Sequence, residues 1–437
     1  MSVYNQNIQT RIVDPVFDRK NFKTEFRLDA DTVYLSNWRL IDMGMTCNVQ
    51  AAYNPLIGAF CMKSIQLLDG NKLLDQILEA DIWKGYNAFN TSNDEARSIN
   101  NWVDKSNYAF TQNSIETNNV DYQDWDVGGT ELPDVDGIKV ISTTLDQFNT
   151  DTTAAASDKA WFAVKGFLPF LASSLYLPTG VFKNLRLVIN WKSPSELQAN
   201  SPNPTNTYNT IENTALVVDE IMDDRTKMLV MKNYKGVVYR AVEHDSVTVN
   251  TLAPAAGSTQ VQKNRFLING FNNKSVERLV AVQTPQNRAS YDNTGLNDGV
   301  GRLGSFSQMN SEFQFRVNGQ NKLPRDGFTK KNQRLAALVD AYGEAHLPPA
   351  CNFVYFPLME DKFLPLSDDS FVQGMQGQLD WTAVEIREPV KELIVEYNRT
   401  GVHGNVALNQ SLRLNLFAEC TKAVSVQPDG RYIISYL

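Results

Sequence analysis

At 437 residues the chain is too long for one ordinary hydrophobic core and suits two units of about 200 residues each. Its 42% hydrophobic and 21% charged residues are those of an ordered globular protein, and no apolar run approaches the ~18 residues that a membrane-spanning helix needs. A formal net charge of −8, with no cluster of Lys or Arg, argues against direct or sequence-specific nucleic-acid binding, which requires a basic surface.

In chain order, Met1–Thr10 has neither the charged start nor the apolar run of a secretory signal, so synthesis in a cytoplasm is expected. Residues 1–20 read as an N-terminal arm. Asp31–Leu35 has strand composition, and so does Ser64–Leu68, which runs into an Asp69-Gly70 turn. Asn71–Ala80 places Leu73, Leu74, Ile77 and Leu78 at i, i+1, i+4 and i+5, which predicts a short helix. Residues 90–159 hold thirteen Asp/Glu against four Lys/Arg, with few strand patterns, and read as a long acidic insertion facing solvent. Gly166–Leu177 reads as core strand material, and Leu185–Trp191 as an alternating strand. A Pro/Asn/Thr-rich stretch, Ser193–Thr207, precedes Ala215–Ile221, the expected last strand of a first unit spanning 21–225.

The second unit, 226–437, opens with strand patterns at Gly236–Val242, Ser246–Asn250 and Val276–Val282. A smaller glycine-bearing insertion covers about Gln283–Ser307. Glu312–Val317 leads into an Asn318-Gly319 turn, and Thr329–Ala341 predicts a second helix through Leu335, Leu338 and Val339. Val390–Tyr397, Ser411–Phe417 and Arg431–Tyr436 read as strands, the middle one alternating so that one face meets a core.

A repeat underlies this order. Strand, tight turn and Lys-Leu occur around Gly70 and again around Gly319, 249 residues apart (319 − 70). Leu185-Arg-Leu-Val-Ile similarly matches Leu412-Arg-Leu-Asn-Leu, 227 residues apart (412 − 185). Two copies of one antiparallel β-fold are expected.

Chemistry is sparse. The three histidines are His244, His346 and His403. Glu344, His346 and Cys351 could be imagined as metal ligands, but they lack the usual spacing of a tetrahedral set. Gly299-Val-Gly301-Arg-Leu-Gly304 has the G-x-G-x-x-G spacing, but it stands in an Asn/Gly-rich loop rather than between a predicted strand and a helix, so no phosphate site is read from it. Asp223-Asp224 and Asp368-Asp369 read as solvated turn acids. The four cysteines (Cys47, Cys61, Cys351, Cys420) read as free buried thiols, and the seven tryptophans as core or interface anchors. Four Asn-x-Ser/Thr sequons, at Asn90, Asn273, Asn398 and Asn409, are expected to be unmodified. No catalytic, cofactor or metal residue is assigned, and no enzyme activity is expected.

Three stretches carry a resemblance to a known family: Leu56–Gly70, Asn269–Val280 and, most typical, Ser411–Gly430 with its Pro-Asp-Gly turn into a last short strand. With the duplicated halves, the chain resembles the double-jelly-roll major capsid proteins, such as those of virophages, polinton-like elements and tailless membrane-containing phages. The resemblance implies an all-β protein of two tandem eight-stranded jelly rolls with a few short helices. It implies a homotrimer with six lobes, tiling an icosahedral shell beside neighbouring capsomers, penton and minor or cement proteins. The acidic insertion would then face outward. The arm would lie beneath the shell, towards an internal membrane or a membrane-associated protein, and the protein would reside in the virion. A lectin-like or receptor-binding β-sandwich is the alternative.

Overall fold

A computed structural model describes residues 7–19, 22–47, 62–80, 82–83, 160–191, 208–212, 214–250, 255–286, 310–323, 340–341, 381–402 and 411–437. The first twelve strands are β1 (Ile8–Val13), β2 (Phe17–Arg19), β3 (Lys23–Arg27), β4 (Val33–Leu35), β5 (Arg39–Cys47), β6 (Met62–Asp69), β7 (Lys72–Leu78), β8 (Ala160–Ala163), β9 (Tyr176–Pro178), β10 (Leu185–Trp191), β11 (Tyr208–Glu212) and β12 (Ala215–Ile221). A short helix α1 (Pro169–Ser173) precedes β9, and α2 (Asp224–Asn233) follows β12. The second half holds β13 (Gly236–Val249), β14 (Thr259–Ile268), β15 (Lys274–Pro285), β16 (Asn310–Val317), β17 (Gln320–Asn321), β18 (Trp381–Val390), β19 (Leu393–Val402), β20 (Leu412–Val426) and β21 (Tyr432–Tyr436).

The same pairing diagram occurs twice. Take β1, β3, β5, β6, β7, β8, β10 and β12 as strands one to eight. One sheet then runs 1-8-3-6 (β1-β12-β5-β8) and the other 2-7-4-5 (β3-β10-β6-β7). Numbering β13 to β20 in the same way gives 1-8-3-6 (β13-β20-β15-β18) and 2-7-4-5 (β14-β19-β16-β17). Two four-stranded antiparallel sheets in this order make a jelly roll. The remaining strands extend these sheets: β2 beside β3, β4 and β9 beyond β12, β11 on β5, and β21 on β20.

The turn repeat is structural. Gly70 opens the two-residue β6–β7 hairpin at φ +59°, and Asn318-Gly319 closes β16–β17 at φ +51° and +82°. Positive φ at both residues is what a type I′ hairpin turn demands and what Asn-Gly supplies. The leucine match is out of register. Leu185 starts strand seven of the first unit, whereas Leu412 starts strand eight of the second; the structural equivalent of β10 is β19. Alternation tells which face a residue takes, not which neighbour the strand pairs with.

Several expectations are corrected. Lys72–Leu78 is a strand, because the hairpin turns the chain back along β6. A bulge leaves Leu74 without an opposite residue, since Leu67 faces Asp75 and Leu68 faces Leu73. That extra residue sets two leucines side by side and imitates helical spacing. Gly166–Leu177 is mostly not strand: a 3₁₀ turn at Val164–Gly166 and α1, with Pro169 in its first turn, precede the three-residue β9. From Ile8 onward the expected arm is sheet. β1 pairs with β12 along its length, and Thr10 and Arg11 bond to Asp219 and Glu220. Gly236–Val242 and Ser246–Asn250 join in one long strand, β13, while Val390–Tyr397 is divided between β18 and β19. Of the predicted helix at 329–341 only Asp340 and Ala341 are described, both helical; the remainder, like residues 90–159, lies outside the described residues.

Candidate functional site

Among the described residues the buried side chains form two hydrophobic cores, and their boundary does not follow the chain's division. The second core is confined to the second unit, with Phe313, Phe315, Val395, Tyr397, Leu414 and Leu416. The first core gathers Phe26, Trp38, Ile65, Leu187 and Val218, but also Tyr239, Val280, Val282, Phe417 and Val424 from the other unit. The 1-8-3-6 sheet of the second unit is therefore covered on both faces. For this reason Leu414–Cys420 is buried at every residue and not at alternate ones.

The seam between the units is built by β7 and α1 on one side and β13, β20 and β21 on the other. Phe170 of α1 meets the Tyr239 ring edge-on at 5.3 Å, and Phe182 meets Tyr432 at 5.1 Å. Trp83 lies 5.2 Å from Phe417. Such tilted and edge-on contacts add to area burial because ring edges are positive and faces negative. Polar bonds cross the same seam: Tyr239 donates its hydroxyl to the Leu74 carbonyl, Tyr432 donates to Asp69 at 2.7 Å, and Arg413 pairs with Glu79 at 2.9 Å. Lys72 sits 4.5 Å from the Tyr432 ring centroid. Gly236, at φ +112°, passes so close to Val424 that a Cβ would overlap its carbonyl. Glycine is required there.

Inside the seam lies Asp75, on β7 and 1% exposed. Its carboxyl accepts from the Gln76 backbone N–H at 2.9 Å and the Phe170 N–H at 2.8 Å, the latter in the first turn of α1. Burial pushes it up to about 7 against the opposing pull of these bonds and of Lys422. Sequence reasoning missed Asp75. The available signal was an acid inside Leu-Leu-Asp-Gln-Ile-Leu, visible only once that stretch is read as strand.

Those residues weighed from sequence that are described do not converge on one site. His244, on β13, is half-buried beside Phe417 and 3.2 Å from Asn415 Oδ1; burial lowers its affinity for a proton. Cys420 is a buried free thiol, pushed up to about 12 by burial, so it is neither a nucleophile nor a ready ligand. Asp223 caps α2, accepting from the Thr226 N–H at 2.7 Å, and is held below the usual carboxylate range by its bonds to Thr226. Trp38, Trp83 and Trp191 are core residues, and Trp191 donates to Thr24 at 2.7 Å. Asn273 lies in the turn before β15 at φ +63°, and Asn398 donates to Glu312 at 3.3 Å. Glu344, His346, Cys351, His403, the glycines at 299–304 and Asp368-Asp369 lie outside the described residues. Among the described residues, no group of three or more His, Cys, Asp or Glu is arranged to hold a metal ion.

What the geometry defines is thus an architecture: two jelly rolls in tandem joined by a buried seam, the double-jelly-roll fold. Solved structures share it over the whole chain. PBCV-1 VP54, fitted into a cryo-EM reconstruction of the virophage Sputnik, matches with a TM-score of 0.52 at 12% identity, covering 100% of this chain and 99% of that one. The mavirus major capsid protein matches at 0.51 and 10% identity, over 98% and 90% of the two chains. The Faustovirus major capsid protein matches at 0.50 and 9%, over 98% and 92%. No family model matches the chain, and no curated protein matches it in sequence.

Proposed function

We propose that this chain is a non-enzymatic major capsid protein that assembles as a homotrimer, giving a six-lobed capsomer that tiles a virion shell. The observation that carries this reading is the duplicated 1-8-3-6/2-7-4-5 pairing over a chain that matches major capsid proteins end to end. Its two units run to about residue 225 and from 226 to 437, with residues 90–160 as an outward acidic insertion. An acidic exterior keeps capsomers soluble until packing contacts hold them. Ring closure by three copies sets unlike surfaces against each other. Exposed apolar residues suit such contacts: Ile12 (65% exposed) and Phe22 (57%) in the first unit, Val261 (54%) and Leu267 (58%) on β14 of the second. Neighbouring capsomers, penton and cement proteins would use the remaining edges.

Light scattering on the purified protein tests the assembly. A single species at three times 49.1 kDa is expected. A monomer that persists at high concentration would overturn the trimer. Replacing Ile12 and Phe22 together by Asp should shift the trimer towards monomer without unfolding it.

A further inference from the structure

Asp75 stands out among the acids of the seam. It is a carboxyl 1% exposed, yet among the described residues no Lys or Arg pairs with it. Burying an unpaired carboxylate is costly, and a buried acid avoids that cost by keeping its proton. Its oxygens touch two backbone N–H groups, one from its own strand and one from α1. Around it are Tyr239 and Glu243 on β13, Lys422 on β20 and Tyr436 on β21; α1 brings no charged side chain.

We propose that Asp75 is a proton-controlled latch between the two jelly rolls: protonated, it leaves the seam firm, and ionised, it loosens the hold of β7 and α1 on the second unit.

The surrounding groups are arranged for this. Glu243 is already engaged by Lys274 at 3.1 Å and by the Tyr436 hydroxyl, and its proximity disfavours a negative charge at Asp75. Lys422 is 5% exposed, and its ammonium lies 5.5 Å from the Tyr436 ring and 6.0 Å from that of Tyr239. Burial lowers its affinity for a proton, so it offsets only part of a charge on Asp75. Asp75 titrates near 7 in the folded chain against an ordinary value of 3.8. Between those values the folded state holds a proton that the unfolded chain has lost, so stability falls as pH rises and levels off above about 7. The site answers to neutral pH, where a change of compartment can act on it.

The test is unfolding of the full chain between about pH 5 and about pH 8, beside the variant Asp75→Asn. Other groups titrate in this range, His244 with the opposite sign, so the difference between the two proteins is the readout. Wild type should lose more stability than Asp75→Asn as pH rises. Asparagine gives up one of the two backbone bonds, so the slope and not the height of the curve decides. Lys422→Met removes the cation that favours ionisation and should move the transition to higher pH. Amide exchange at Phe170, corrected for the intrinsic rate, reads the latch locally in the wild type. Its protection relative to β16 and β19 should fall as pH rises towards about 7 and level off above it. Parallel wild-type and Asp75→Asn slopes, or a flat Phe170 protection ratio in wild type, would reduce Asp75 to a structural cap of α1 and overturn the proposal.

Discussion

Strands β12 and β20 occupy the same place in the two jelly rolls, strand eight of the 1-8-3-6 sheet, and differ in what covers them. All seven residues of β12 are buried, and its acids are satisfied by charged, amide and hydroxyl partners. Asp219 takes bonds from Thr10, Asn37 and Arg39; Glu220 takes them from Thr32, Arg11 and Lys227. On β20, Phe417 and Val424 belong to the other unit's core. The pairing diagram requires a buried strand at this position; both strands bury an ion-paired acid, and β20 in addition carries Phe417 and Val424 into the other unit's core. The two copies of one fold thereby differ in their surroundings at an equivalent strand.

The sharpest way to break the comparison is Phe417→Ala. It opens a cavity between the units and should cost about 3–5 kcal/mol in denaturant unfolding, destabilising both units. A loss confined to the second unit would show that the seam does not couple them. Glu220→Ala takes this acceptor from Lys227 and Thr32 and leaves Arg11 with Asp29 alone. Because the Arg11 side chain is 40% exposed, the cost is discounted to about 2 kcal/mol and should fall on the first unit.

The two regions should also respond to pH with opposite signs. Burial pushes the Glu220 carboxyl up, but bonds from Thr32, Arg11 and Lys227 outweigh it and hold the group below the ordinary 4.5. Its contribution is complete above that value and is lost as pH falls through the depressed one, whereas Asp75 favours the folded state in acid. Exchange protection of β12 amides should drop first on acidification while that of β7 is kept. The smallest effect belongs to Gly319→Ala. With φ at +82° in an open turn, it should cost about 1 kcal/mol by thermal unfolding and leave assembly unchanged.

Much of the fold was legible because turns and alternation are local. Gly70 and Asn318-Gly319 marked the same hairpin in both units, and β10, β12, β16 and β21 lie where their patterns placed them. What failed depended on partners. The bulge at Leu74 disguised a strand as a helix, Leu185 and Leu412 shared a pattern but not a position, and β1 gave no local sign that β12 would claim it. The seam was least legible. Asp75, Tyr239, Lys422 and Tyr432 are far apart in the chain, and an isolated strand does not say that a second unit will cover its outer face.

The central claim, that two equivalent jelly rolls per chain build a six-lobed capsomer, is tested most directly by electron microscopy of the purified particle. Class averages viewed down the symmetry axis should show threefold symmetry and six similar lobes. Averages with one or two lobes, or a ring of any other symmetry, would contradict it.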